Sequence, residues 1–221
     1  MNRKVLSIVV LLSLVVGTGS CTRLRRGSAQ EDLLATGLVG WQQVGGTPNS
    51  WKFAHGVLYT DGAGGGWLAT VRSYDDFLLS LEFRVAVGGN SGVFVRAPLE
   101  GGPASQGMEI QILDDYHERH SELRPDQYTG SIYGVQAPSE RASKPAGQWQ
   151  KMVIGCCGTN VKVVLNGHKI IDTDTRYYPS RVRTHPGLRR ESGYIGLQNH
   201  GGRIEFRKVR IKPLSDADSL S

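Results

Sequence analysis

Glu109 and Gln111 stand two residues apart in Gly107-Met108-Glu109-Ile110-Gln111-Ile112-Leu113-Asp114-Asp115, a stretch in which Met108, Ile110 and Ile112 fill the alternate positions. In a β-strand that spacing puts the acid and the amide on one face and the three apolar side chains on the other. Two further stretches divide in the same way. Val93 and Val95 alternate with Phe94 and Arg96, and Ile195 and Leu197 alternate with Gln198 and His200. A solvated sheet face usually mixes Thr, Lys, Ser and Glu. Here a carboxyl, an imidazole, a guanidinium and two carboxamides converge, which describes a polar cleft able to hydrogen-bond a ligand and exchange protons with it. Asp114 and His117, three apart at the end of the first strand, read either as a turn cap with a surface histidine or as a pair of metal ligands.

The elements that position these residues are short strands. Phe77, Leu79, Leu81, Phe83 and Val85 form the longest alternating run and predict a central strand over residues 77–87. Asn166-Gly167 predicts a tight hairpin between Val161–Leu165 and His168–Asp172. In the last strand Ile204 and Phe206 are in phase, whereas Val209 and Ile211 have the opposite phase, which predicts a bulge near Arg207-Lys208. Residues 114–147 and 173–192 are long irregular stretches, the first rich in Tyr, His and Pro. No amphipathic helix and no repeat stands out. Roughly a dozen short strands with turn signals between them predict an all-β protein, an antiparallel two-sheet sandwich. The 29 glycines fit such a turn-rich chain.

The 221 residues suffice for one domain with a sizeable core. Arg3 and Lys4 precede an apolar run from Val5 to Val16, too short to span a bilayer as a helix and shaped like an export signal. Small residues then lead to Cys21, as in a bacterial lipoprotein processing site, although Thr18 stands where that site normally has Leu. Lipidation of Cys21 and ordinary cleavage nearby both fit. The expected organisation is an export signal over 1–20, a linker over 21–36, a domain over 37–214 and a flexible tail over 215–221. Removing Arg3 and Lys4 lowers the formal net charge from +6 to +4. The remaining positive charge is scattered and no nucleic-acid motif is recognisable, so no nucleic-acid partner is expected. Contact with a membrane is expected only through a lipid anchor. Cys156 and Cys157 are adjacent, which is unsuited to a disulfide framework, and they read as two small strand residues.

Several motifs in one order carry a family resemblance: Asn90-Ser91-Gly92-Val93-Phe94-Val95-Arg96, then Glu109–Asp114, then Lys144-Pro145-Ala146-Gly147-Gln148-Trp149, then Leu165-Asn166-Gly167, then Gly196-Leu197-Gln198-Asn199-His200-Gly201 and Phe206–Ile211. Over about residues 37–214 the chain resembles the 3-keto-disaccharide hydrolase family, long catalogued as a domain of unknown function. The resemblance implies a concanavalin A-like jelly roll, bacterial export to the periplasm or cell envelope, and cleavage of glycosides oxidised at C3. A C3 ketone acidifies the C2 proton. A base can then remove that proton, the glycosidic oxygen leaves, and water adds back. This route needs a base, an acid and a stabiliser for the enolate; a divalent metal could supply the last, and no other cofactor is implied.

The resemblance makes Glu109 and His200 the candidate catalytic pair. Arg96, Gln111, Gln198, Tyr116 and Tyr133 become the substrate contacts, with Tyr128 and Trp67 as further rings able to stack on a sugar. Arg96 serves equally as a structural partner for Glu109. The partner expected is an oligosaccharide or glycoside. The rival readings are a lectin-like sugar-binding module without catalysis and a surface adhesion domain.

Overall fold

Asn166 and Gly167 take φ of 52° and 95°. Consecutive positive values belong to the tight hairpin turn that Asn-Gly accepts without strain. The strands on either side of this turn sit at one edge of a large sheet. The computed structural model describes residues 29–215 and residue 220, so the expected export signal and Cys21 lie outside the described residues.

Thirteen strands follow one another among the described residues. They are β1 (Glu31–Asp32), β2 (Trp41–Val44), β3 (Trp51–Ala54), β4 (Val57–Thr60), β5 (Trp67–Tyr74), β6 (Phe77–Val85), β7 (Asn90–Ala97), β8 (Met108–Leu113), β9 (Gln150–Cys157), β10 (Asn160–Leu165), β11 (His168–Asp174), β12 (Gly193–Gln198) and β13 (Ile204–Pro213). The larger sheet runs β11-β10-β9-β6-β13-β4-β3, with β1 also paired to β13; the smaller runs β2-β5-β12-β7-β8. Each pairing between these strands is antiparallel. The one α-helix among the described residues, α1, is a single turn at Pro103–Gln106. This is the all-β, two-sheet antiparallel sandwich that alternation predicts.

The core lies between the sheets. Phe77, Leu79, Leu81, Phe83 and Val85 of β6 are almost fully buried, and they meet Val93, Val95, Ile110, Ile112, Ile195 and Leu197 of the smaller sheet in one cluster. Burying each such side chain contributes roughly 1.5–3 kcal/mol, so the pattern that places them fixes which sheet faces lie inside. The bulge in β13 falls where the phase slips: register shifts between Arg207 and Arg210, and Lys208 has φ of 52°. Cys156 is a buried thiol, and burial pushes its pKa up to about 12.

Two departures from the expected organisation concern the chain ends. Residues 31–36, expected in the linker, belong to the fold: Glu31 and Asp32 pair with Ile211 and Arg210, and Leu34 is buried in the core. At the other end Lys162 Nζ donates to the Leu220 carbonyl at 2.6 Å, within the segment expected to be a free tail.

Residues 114–147 are irregular but not loose. Their middle runs beside β8 and extends the smaller sheet: Ile132 bridges Ile110, Gln111 N–H donates to Ser131 O at 3.1 Å, and Tyr133 N–H donates to Glu109 O at 2.9 Å.

Candidate active site

Directly opposed residues in an antiparallel pair share a face. Gln111 opposes Gly92, Glu109 opposes Phe94, Phe94 opposes Gly196, and Gln198 opposes Trp67. All of these therefore lie on the outer face of the smaller sheet, away from the core. This face has two halves. In one, Trp67 meets Phe94 edge-on, with ring centroids 5.4 Å apart, and Leu99 and Ala104 pack against them. Trp67 is buried in this small apolar cluster rather than presented as an open stacking surface. The other half is polar and centres on Glu109.

Glu109 is only 4% exposed. Its partners are amides. Gln111, in the orientation that satisfies its neighbours, donates to Glu109 Oε1 at 3.1 Å and to Ser91 O at 2.9 Å. Gln198 also hydrogen-bonds the Glu109 carboxyl. Burial pushes Glu109 up to about 8, and the Gln198 hydrogen bond offsets only part of this. A carboxyl held by neutral groups alone keeps its proton near neutrality and can give it up or take it back there.

His200 joins this half through Asn90. Asn90 Nδ2 donates to His200 Nδ1 at 3.0 Å, and the Asn90 side chain lies beside the Gln111 amide on the same face, its Oδ1 3.4 Å from the far end of that amide and not hydrogen-bonded to it in the orientation given above. With Asn90 donating, neutral His200 carries its proton on Nε2. Glu109, Gln111, Gln198 and His200 are thus brought together. Asn90 is the connecting residue that alternation alone does not single out, although it stands two before Gly92 and four before Phe94 on the same face. Gln198 Oε1 and Ser131 Oγ are buried without a partner. Such atoms cost stability unless something hydrogen-bonds them.

Arg96 departs from the expected face. Between Phe94 and Ala97 strand β7 advances three residues while β12 advances two, from Gly196 to Tyr194. The extra residue is accommodated as a bulge, with Arg96 at φ of 51°. Its side chain leaves the polar face and is buried elsewhere, donating to Asp75 O (3.0 Å), Gly158 O (2.7 Å), Arg190 O (3.1 Å) and Asp76 Oδ1 (2.8 Å). It pairs with Asp76, not Glu109.

The loop residues serve locally. Tyr116 is exposed and donates its hydroxyl proton to Ser143 O at 2.8 Å; the Tyr133 hydroxyl accepts from Gln127 Nε2 at 2.9 Å. Tyr128 is buried, with the Arg141 guanidinium 3.6 Å from its ring centroid. Asp114 Oδ2 accepts from Gly88 N–H at 2.9 Å, and His117 Nδ1 accepts from Arg119 N–H at 3.2 Å, so both act as loop caps. Among the described residues no group of three or more His, Cys, Asp or Glu side chains could hold a metal ion.

Gly92 is what lets Glu109 lie across β7. A Cβ there would collide with Glu109 Oε1 and come within 2.9 Å of its Cγ. Gly92→Ala is expected to move the carboxyl and lower kcat/KM on the order of a hundredfold, the typical effect of a displacement near 1 Å. The cost in stability should be about 1–3 kcal/mol. Steady-state kinetics beside a thermal melt separate the two effects, and an unchanged kcat/KM would take Glu109 out of the reaction.

The architecture is that of the galectin-like and jelly-roll sandwiches, and the comparisons agree. A carbohydrate-binding module of family 66 from Bacillus subtilis shares the fold at a TM-score of 0.55 and 15% identity, covering 78% of this chain and 95% of that one. A solved structure from Parabacteroides distasonis, described as a candidate glycosyl hydrolase, superposes with a TM-score of 0.75 at 29% identity, covering 85% of this chain and all of that one. A Bacteroides thetaiotaomicron protein named 3-keto-disaccharide hydrolase is 25% identical over 216 residues, 79% of this chain and 74% of that protein. Residues 32–212 match the family described as 3-keto-alpha-glucoside-1,2-lyase-like domain, and the chain belongs to that family.

Proposed function

We propose that this protein is an exported enzyme that cleaves the glycosidic bond of 3-keto-glycosides or 3-keto-disaccharides, by elimination followed by hydration, with Glu109 moving the proton. The observation that carries this reading is a carboxyl buried to 4% exposure among neutral amides on the outer face of the smaller sheet, in a member of this family.

The Glu109 carboxylate takes the C2 proton. The C2–H electrons form the C1–C2 double bond, and the C1–O bond breaks. The departing oxygen takes a proton, either from Glu109 now protonated or from His200 Nε2. Water then adds at C1 and a proton returns to C2, which frees the 3-keto sugar. The Gln111 and Gln198 amides hold the Glu109 carboxyl in place, and the unpartnered Gln198 Oε1 is a ready acceptor for a sugar hydroxyl.

The test is a 3-keto-glucoside deuterated at C2 incubated with the mature domain. Aglycone release with loss of deuterium to solvent is expected. Release with deuterium retained would sink the elimination, and binding without release would leave the lectin-like reading in its place.

Export and attachment at Cys21 belong to the same proposal. They rest on the apolar run before Cys21 and the small residues between them. Stable anchoring takes two or more acyl chains. A Cys21→Ser variant is expected to leave the membrane fraction; equal retention would remove the anchor.

A further inference from the structure

The outer face of the larger sheet, on the opposite side of the sandwich from Glu109, carries a second cleft. Alternation and register bring Glu82, Lys151 and Arg207 together there, Glu82 opposing Lys151 on one side and Arg207 on the other. Trp149, just before β9, lies over this face. The Arg207 and Arg84 guanidinium carbons stand 4.0 Å and 4.9 Å from its ring centroid. The cleft has a volume of about 490 Å³, bounded by the turn that carries Lys144 and Trp149 and by the Asn166-Gly167 hairpin.

Its walls are fixed. Gln150 is 1% exposed; its Oε1 accepts from Lys144 N–H at 2.8 Å and from Asn166 Nδ2 at 3.1 Å, and its Nε2 donates to Lys144 O at 3.2 Å. Asn166 Oδ1 in turn accepts from Lys151 N–H at 3.0 Å. The turn is therefore tied to the hairpin, and the half-exposed Trp149 ring is presented in one place.

The charge is unbalanced. The Glu82 carboxylate is shared between Arg207 Nε at 2.6 Å and Lys208 Nζ at 2.8 Å, and Arg84 is ion-paired with Glu205, which leaves the excess positive charge on Lys144 and Lys151. Lys144 Nζ reaches the Trp149 carbonyl at 3.5 Å, and Lys144 and Lys151 are both exposed. A ring stacked against two guanidinium groups and flanked by ammonium groups suits a ligand with an apolar C–H face for what remains of the ring and an anionic substituent for the ammonium groups.

We propose that this cleft is a second saccharide site, which takes a sugar unit bearing a carboxylate or sulfate. A single ring lacks the series of stacking surfaces that a nucleic-acid strand uses. This site shares no residue with the Glu109 face and stands independently of the proposed reaction.

Isothermal titration of the mature chain tests it. The probes are oligogalacturonate, a sulfated oligosaccharide, a neutral cello-oligosaccharide, single-stranded DNA and phosphatidylglycerol vesicles. One or both anionic oligosaccharides are expected to bind, and to bind less tightly as salt is added. The Lys144→Glu/Lys151→Glu double variant should bind them on the order of tenfold more weakly, as expected for two surface charge contacts. Trp149→Ala should weaken them as well, while Glu109→Gln should bind as the wild type does. The double variant should keep its turnover of a 3-keto-glucoside. Equal binding of the neutral oligosaccharide, or undiminished binding by the double variant, would overturn the site. So would DNA or vesicles binding as tightly through the same residues. Should Trp149→Ala fail to fold, the two exposed lysines decide the matter alone.

Discussion

Glu109→Gln is expected to lose about 10²–10⁴-fold in kcat/KM toward a 3-keto-glucoside, the usual range for a general acid–base group. The same change should make the protein more stable at alkaline pH. Burial raises the Glu109 pKa from 4.5 to about 8 in the folded chain. Below pH 4.5 the group is neutral whether the chain is folded or not, and it costs nothing. Between pH 4.5 and 8 it ionises in the unfolded chain first, so wild-type stability falls as pH rises. Beyond pH 8 the deficit is complete, on the order of 5 kcal/mol at about 1.36 kcal/mol per unit. Gln does not ionise and escapes this loss. Melting temperatures of the two proteins should therefore be close at pH 4 and diverge in favour of Glu109→Gln up to pH 8. If the carboxylate is the base, wild-type kcat/KM should rise toward a plateau above pH 8, since the fraction ionised in the free enzyme sets that limb. A melting-temperature difference independent of pH would show that Glu109 is not the buried, neutral acid described here. A loss of activity below tenfold would remove it from catalysis.

Arg96→Met is expected to do the reverse. Arg96 donates to three main-chain carbonyls and to Asp76, and it is 2% exposed. Methionine fills much of the same volume but leaves the carbonyls of Asp75, Gly158 and Arg190 without that donor. A buried group left unpaired costs about 1–3 kcal/mol, so a loss of roughly 3–5 kcal/mol is expected. That corresponds to a fall of about 10 °C or more in Tm for a chain of this size. Below the melting transition KM should stay at its wild-type value, because the guanidinium points away from the Glu109 face. A raised KM with an unchanged Tm would return Arg96 to the substrate site. Together the two variants separate a residue that costs stability and does chemistry from one that supplies stability and does none.

Much of this protein is set by its sequence alone. Alternation follows from the pleat of a strand, a local property, so the core faces of β6 and β8 can be read from a few residues each. The Asn166-Gly167 turn and the phase slip at Arg207-Lys208 are equally local, since each is written in neighbouring residues. For the same reason alternation alone places Glu109, Gln111 and Gln198 on one face. The 3.0 Å contact between Asn90 and His200, by contrast, joins residues 110 apart in sequence. Alternation misplaces Arg96 because a bulge depends on the partner strand: only when β7 lies against β12 is one residue surplus, and that residue takes the positive φ that turns its side chain away. The start of the fold escapes a local reading because a polar pair such as Glu31-Asp32 becomes a strand only when β13 offers it an edge. Tertiary structure also decided the property on which the proposed reaction turns. Alternation puts a carboxyl on a face, but only the assembled sheet removes water from around it and leaves it with amides instead of a cation. That desolvation, which no local spacing encodes, raises the Glu109 pKa to about 8.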